Sequence, residues 1–259
     1  MKAVIMAAGK STRTYPLTLT RPKALLPICN KSILEHQLDA LPDCIDEVVL
    51  VVGYKGDMIR ERFGDAFGGR RLRYVEQKQQ RGTGHAILVC EDVIDGPFLA
   101  MNGDDLFAAQ DLARLAQADQ AALAKHVEDP RLYGVYETDA EGRVIRLVEK
   151  PSEVFSDLAN IGVYKFNPDV FEVLRRTPLS ERGEIEITSA VQTLAENSGF
   201  RVVEATGYWL PIGYPWHLLD ANAYLLDHHF QPQILGEIHP AAHCTGPVAV
   251  GKGTVIRAG

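Results

Sequence analysis

The sequence predicts an α/β fold, a Rossmann-like mixed central sheet followed by the start of a left-handed parallel β-helix. Three observations point there. Unbroken apolar runs such as KAVIM (residues 2–6) and EVVLVV (residues 47–52) alternate with stretches of helical spacing, as strands buried on both faces of a parallel sheet require. From Gly134 onward the strands become short and alternating, and polar turns join them, so the sheet gains antiparallel members. In the tail, Ile238, Cys244, Val250 and Ile256 recur every six residues with small or polar residues between them. Residues 1–230 are thus expected to form one α/β domain and residues 231–259 the beginning of a hexapeptide-repeat coil.

In chain order, Lys2–Met6 reads as a buried strand that feeds a loop of small residues, Ala7, Ala8 and Gly9. Leu34, Leu38 and Leu41 fall at helical spacing behind Ser32 as N-cap, with Pro42 as the stop. A second strand runs from Glu47 to Gly53, a helix through Met58, Ile59 and Phe63 ends at Gly64, and Leu72–Gln77 forms a third strand. The Gly82 turn opens an apolar helix, and Pro97–Asp105 is expected as a fourth strand that ends in paired carboxylates. A short helix over 111–118 and a strand over 121–127 follow. The hairpin pairs Gly134–Thr138 with Val144–Glu149, and Asn160–Phe166 is a further strand. A helix behind Pro168, a helix over 188–197 ended by Gly199, a strand over 201–205 and a helix over 216–229 complete the domain. The tail hexads amount to about one coil and a third. They read as a repeat cut short, or as a stub that packs on the domain or on another subunit.

Composition narrows the function. At 259 residues and 46% hydrophobic the chain can bury a real core, and a net charge of −7 argues against a general nucleic-acid surface. No apolar run approaches the ~20 residues of a membrane span, and a charged loop stands where a signal peptide would be hydrophobic, so a cytoplasmic protein is expected. Cys29, Cys44, Cys90 and Cys244 have no metal-ligand spacing and read as reduced thiols.

The first loop carries the chemistry. Missing side chains at Ala7, Ala8 and Gly9 let backbone N–H groups approach an anion, and Lys10, Arg13 and Lys23 supply cations, so a substrate with several phosphates is expected. Neither the glycine spacing of a dinucleotide fold nor the G-K-[ST] ending of a P-loop is present. Pro16, Pro22 and Pro27 stiffen an arm that carries Lys23 back over the loop.

The stretch AAGKSTRTYPLTLTRPKALLPI resembles the signature of the sugar-1-phosphate nucleotidyltransferases, the nucleoside-diphosphate-sugar pyrophosphorylases. Their pattern is small-Gly-x-Gly-Thr-Arg, about ten residues, then Pro-Lys-x-Leu. Ser11 stands where that family has its second glycine, and a negative φ is expected there. The resemblance implies the nucleotidyltransferase fold and a reaction in which a sugar 1-phosphate oxygen attacks the α-phosphorus of a nucleoside triphosphate and pyrophosphate leaves. It places Arg13 on the β/γ-phosphates, Lys23 at the α-phosphate, Lys150 on the sugar phosphate, and Gly134, Glu149 and Asn160 around the sugar. Gly82 and Thr83 match the backbone that closes over the base, and Gln77 can offer an amide donor and acceptor to a pyrimidine edge. UTP is therefore the expected nucleotide. The nearest likeness is to uridylyltransferases of the N-acetylglucosamine-1-phosphate type, which carry a hexapeptide C-terminus. His85 is expected to be structural or to line the base, because the attacking phosphate oxygen is already ionised.

Asp104 of NGDD is the expected Mg²⁺ ligand, and Asp105 reads as a helix-start or loop carboxylate. The family's second aspartate lies in a late W-x-D-x-G segment. Here that segment is WLPIG, residues 209–213, with Pro211 at the aspartate position and Asp220 too far along to replace it. Two alternatives follow: a regulatory or scaffold homologue that binds nucleotide sugar without turnover, and a guanylyltransferase for mannose or heptose 1-phosphate. Partners are small molecules rather than nucleic acid or membrane. Oligomeric state stays open, a homo-oligomer included.

Overall fold

The computed structural model describes residues 1–259, the side chain of Ser198 excepted. Strand β1 (Lys2–Met6) divides its side chains between two cores, Val4 on one side and Ala3 and Ile5 on the other, which is why the run beyond Lys2 has no polar member. The arm beyond it is folded back by two hydroxyls, Thr14 Oγ1 at 2.7 Å and Thr18 Oγ1 at 3.1 Å, both donating to the carbonyl of Ser11. Ser11 itself has φ 51°, ψ 55°. The expected negative φ is thus wrong. The loop keeps the left-handed turn that a glycine would take at no cost, and the two hydroxyl contacts help to hold a serine in it.

After a short hairpin, β2 (Pro27–Ile28) with β3 (Lys31–Ser32), helix α1 (Ile33–Ala40) starts at a complete capping box. Ser32 Oγ accepts from Glu35 N–H, while the Glu35 carboxylate accepts from Ser32 N–H at 2.8 Å. Then come β4 (Glu47–Val52), α2 (Gly56–Phe63), β5 (Ala66–Phe67), β6 (Arg70–Glu76), α3 (Thr83–Leu88) and β7 (Phe98–Asn102). The expected strand over 97–105 is really two elements. β7 stops at Asn102, a turn carries Gly103 and Asp104, and Asp105 begins a separate strand, β8 (Asp105–Phe107). The rest of the domain is α4 (Ala109–Gln117), β9 (Ala121–His126), β10 (Gly134–Thr138), β11 (Val144–Glu149), β12 (Leu158–Phe166), α5 (Val170–Arg176), α6 (Ile187–Ser198), β13 (Arg201–Glu204), β14 (Trp209–Pro211) and α7 (Pro215–His228).

The main sheet is mixed, in the order β11-β10-β12-β7-β1-β4-β6-β5, with β9 pairing β12 and β13. β7, β1, β4 and β6 are parallel to one another, and β12 joins β7 antiparallel. α3, α5 and α6 cover one face and α1, α2 and α4 the other, giving three layers with a core on each side of the sheet. α7 packs through Leu218, Ala221 and Leu225 on a third, smaller cluster with Leu106 and Ile212. That cluster supports a two-stranded ribbon, β8 with β14, in which Pro211 lies directly opposite Asp105.

In the tail, four two-residue strands pair in parallel. β15 (Gln233–Ile234) lies beside β17 (Ala249–Val250), and β16 (Glu237–Ile238) beside β18 (Val255–Ile256).

Candidate active site

Parallel strands end together, and the loops beyond their carboxyl ends form the site. Two clefts of about 420 and 570 Å³ open there and share Arg13, Thr83, Asn102, Asp104 and Glu184 in their walls. The first cleft is lined by Ala7, Ala8, Gly9, Lys23, Gln77 and Gly82. Gly134, Glu149, Lys150 and Asn160 line the second. The two clefts adjoin, and the exposed Lys10, expected among the phosphate cations, lines neither of them, nor does His85.

Lys23, only 5% exposed, sends its ammonium to Asp104 Oδ2 at 2.8 Å, so the arm and the β7 turn are joined by an ion pair at the point where the clefts meet. Arg13 makes no hydrogen bond or ion pair among the described residues. Its guanidinium carbon lies over the Tyr214 ring, 5.6 Å from the centroid.

Gln77 is buried, and its amide Nε2 is engaged with the carbonyl of Gly82 at 3.1 Å and His85 Nδ1 at 3.0 Å. Only Oε1 is left without a partner among the described residues, so the expected donor-and-acceptor pair at the base reduces to an acceptor. His85 is an acceptor toward Gln77 with its neutral ring favoured, because burial, then the nearby Arg81, lower its pKa. Gly82 must be glycine: its φ is +98°, and a Cβ would lie 2.6 Å from the carbonyl oxygen of Ile185. That closeness is a short ladder. Ile185 N–H donates to Arg81 O at 2.8 Å and Gly84 N–H to Ile185 O at 2.9 Å, so the 180–188 segment is fastened to the loop of the first cleft while lining the second.

On the second cleft, burial raises the Glu149 pKa and Glu186 adds to the shift, while Lys150 and Arg182 oppose it. Lys150 has φ +46°, donates its N–H to Tyr133 O at 2.9 Å, and has no ion-pair partner within 4 Å among the described residues. The Asn160 amide is tied on both sides, Nδ2 donating to the Tyr164 hydroxyl at 2.7 Å and Oδ1 accepting from Gly162 N–H.

Asp105 is not a loop carboxylate. It is 9% exposed, accepts from Trp209 Nε1 at 3.1 Å and from Ile212 N–H at 3.2 Å, and so fastens the two ends of the WLPI segment to β8. Burial, with Asp104 beside it, pushes its pKa up to about 7 against the pull of Lys23 and the two donors. For a metal, the donor set is sparse. Asp104 is 40% exposed and borders both clefts, Asp105 is spent on β14, and Pro211 offers no oxygen. Among the described residues no group of three or more His, Cys, Asp or Glu side chains could hold an ion. One open carboxylate suits a hard cation that brings its other oxygens with it, as phosphates and water, and does not suit a protein cage.

Asn102 of NGDD and Trp209 of WLPIG also line the clefts, as do Tyr133, Arg182, Glu184, Thr188 and Tyr214, which the sequence does not single out. The one local signal was the charge cluster of RGEIE, residues 182–186, beside a glycine turn.

Known proteins share this sequence and fold. The chain is 40% identical over 259 residues to the bifunctional protein GlmU of Methanococcus vannielii, covering 98% of this chain and 61% of that one. It is 34% identical over 263 residues to a bifunctional sugar-1-phosphate nucleotidylyltransferase/acetyltransferase of Sulfurisphaera tokodaii, covering 64% of that protein. The chain thus spans about three fifths of the length of these bifunctional relatives. A third relative, the UTP–glucose-1-phosphate uridylyltransferase AglF of Haloferax volcanii, is 38% identical over 226 residues and 92% covered. Among solved structures, UDP-glucose pyrophosphorylase complexed with UDP-glucose superposes with a TM-score of 0.78 at 28% identity, over 88% of this chain and 99% of that one. A putative glucose-1-phosphate thymidylyltransferase from Bacillus anthracis gives the same TM-score, 0.78, at 27% identity, over 89% and 97%. No helix among the described residues is long and apolar enough to cross a membrane. The family model for nucleotidyl transferases matches residues 2–228, and the chain belongs to that family.

Proposed function

We propose that the protein transfers a nucleotidyl group from a nucleoside triphosphate, UTP foremost, to a sugar 1-phosphate, giving a nucleotide sugar and pyrophosphate. The observation that carries this reading is the pair of clefts that share Arg13 and Asp104, with Lys23 at their junction. A sugar phosphate oxygen attacks the α-phosphorus, a P–O bond forms there, and the α–β bridge breaks to release pyrophosphate. The attacking oxygen is already ionised, so the protein's task is positioning and charge neutralisation. Lys23 faces the α-phosphate, Arg13 takes the β/γ-phosphates with its planar fork, Lys150 holds the sugar phosphate, and Glu149 and Asn160 receive sugar hydroxyls. Backbone N–H groups of Ala8 and Gly9 approach the phosphates. Mg²⁺, held by Asp104 and arriving on the nucleotide, would neutralise phosphate charge when bound.

UTP is favoured by the Gln77 acceptor, which suits the N3–H of a pyrimidine, and by the pyrimidine nucleotides in the names of AglF and the two solved relatives. We assign residues 1–230 to the catalytic domain and 231–259 to the first coil of a β-helix. The registers Glu237 with Val255 and Ile238 with Ile256 join rungs three hexads apart, which supports that assignment.

The test is pyrophosphate release across a matrix of nucleoside triphosphates and sugar 1-phosphates with Mg²⁺. Release with UTP and one sugar 1-phosphate is expected. Nucleotide-sugar binding with no release in any pair would favour the regulatory or scaffold reading, for which Pro211 is the supporting observation. Release confined to GTP with mannose or heptose 1-phosphate would replace UTP by GTP.

A further inference from the structure

The two cations of the first cleft are held in different ways. Lys23 is paired with a carboxylate at 2.8 Å. Arg13 has no carboxylate, carbonyl or hydroxyl partner among the described residues, and its guanidinium carbon rests over the face of Tyr214, 5.6 Å from the centroid. That distance is within the range of a cation–π contact. An aromatic face orients a guanidinium without taking any of its N–H donors, whereas a carboxylate would use two of them and compete with phosphate for the charge.

The ring is itself held on several sides. Tyr214 stacks on Trp216 at 4.7 Å between centroids and 4° between planes, and meets His217 edge to face at 5.7 Å and 86°. His217 is fixed in turn, its Nδ1 accepting from Gly213 N–H at 2.9 Å. Tyr214 stands at the N-cap position of α7 without a side-chain capping bond, and Pro215 occupies the first turn of the helix. The platform therefore follows directly from the WLPIG strand, which Asp105 fastens at Trp209 and Ile212.

From this arrangement we infer that Tyr214 is a positioning residue for Arg13: its ring holds the guanidinium between the two clefts, with every donor unspent, for the β/γ-phosphates of the incoming nucleotide. The inference rests on the proposed function, since it requires a triphosphate in the first cleft. It also makes Tyr214, with Trp216 and His217 packed on its ring, part of nucleotide binding although Tyr214 and His217 line the sugar-side cleft.

The experiment is calorimetric titration of UTP with Mg²⁺, without sugar 1-phosphate, into wild type, Tyr214→Phe, Tyr214→Leu, Arg13→Ala and the Arg13→Ala/Tyr214→Leu double variant. Steady-state KM for each substrate is measured in parallel. Tyr214→Leu is expected to raise the Kd for UTP by about three- to tenfold, and Tyr214→Phe to keep it within about twofold, because the π face is what Arg13 uses. KM for the sugar 1-phosphate should not move, and leucine should cost nothing further once Arg13 is alanine. Equal losses for phenylalanine and leucine, or an undiminished leucine effect in the Arg13→Ala background, would overturn the inference. A wild type that binds no nucleoside triphosphate would overturn the proposed function itself. Arg13→Ala weakening UTP binding while Tyr214→Leu does not would leave that function standing and remove Tyr214 alone.

Discussion

The Lys23 ammonium lies 2.8 Å from Asp104 Oδ2, although the two residues belong to the arm beyond β1 and to the turn beyond β7. Each is a candidate phosphate or metal partner, and each holds the other in place. Replacing Lys23 by alanine should therefore lower kcat by about 10²–10³-fold, as loss of a preorganised charge at a reacting centre does. Asp104 is 40% exposed, so the lost pair should cost only about 1 kcal/mol or less in stability. Initial rates and urea unfolding of the same preparation check both halves. A kcat near that of wild type would remove Lys23 from the reacting phosphate.

Gly134 gives a cleft-selective prediction. A Cβ there would sit 3.1 Å from Glu149 Oε2, 3.4 Å from Thr188 Cγ2 and 3.5 Å from Asn160 Cβ, at the point where the second cleft's polar groups converge. Gly134→Ala should raise KM for the sugar 1-phosphate and leave the UTP Kd unchanged. A parallel loss of UTP affinity would mean that the two clefts do not sort the substrates as proposed.

Pro211 faces Asp105 across the β8–β14 ribbon and lines the second cleft. Pro211→Asp would add an oxygen ligand near Asp104 and a further negative charge beside the buried Asp105. The Mg²⁺ concentration for half-maximal rate should fall several-fold, and the variant's melting temperature should become more sensitive to Mg²⁺ than that of wild type. An unchanged midpoint in a folded variant would show that position 211 does not reach the metal.

A fourth prediction concerns stability away from the site. Asp111 is 1% exposed and accepts from Gly207 N–H at 2.8 Å, Thr206 N–H at 3.1 Å and the Arg114 guanidinium at 2.6 Å. Burial works to raise its pKa, and these donors together outweigh it, so the carboxyl is held below its ordinary value. A depressed folded pKa confers stability above the unfolded value of about 3.9 that is lost as pH falls through the folded one. Asp111→Ala should cost about 2 kcal/mol at neutral pH, chiefly from the two backbone N–H groups left without their acceptor, and the gap to wild type should narrow below about pH 4. Denaturant unfolding across pH measures it, and a gap that widens in acid would contradict the assignment.

What could be read in advance divides along physical lines. The Ser32 capping box, the Gly64 and Gly199 stops and the hairpin of β10 and β11 are local, each fixed by residues within a few positions, and they stand where the pattern puts them. The β8–β14 ribbon was not legible, because a three-residue strand carries no periodicity and its partner lies about a hundred residues away. For the same reason the sequence makes Asp105 read as a helix-start or loop carboxylate, although Trp209 and Ile212 hold it on a strand. Ser11 differs: its residue type suggests negative φ, yet it is left-handed, with the hydroxyls of Thr14 and Thr18, three and seven residues on, donating to its carbonyl. The cleft residues legible in the sequence are those inside long motifs, whereas Tyr214, Arg182 and Glu184 reach the site only through tertiary packing.

The central claim is that a sugar phosphate oxygen attacks the α-phosphorus at the junction of the two clefts. It is tested most directly by turnover of UTP with a sugar 1-phosphate labelled with ¹⁸O throughout its phosphate, followed by mass spectrometry of both products. The account predicts that every labelled oxygen is retained in the nucleotide sugar, including the new bridge, and that the pyrophosphate is unlabelled. Label in the pyrophosphate, or pyrophosphate released without a nucleotide sugar, would contradict it.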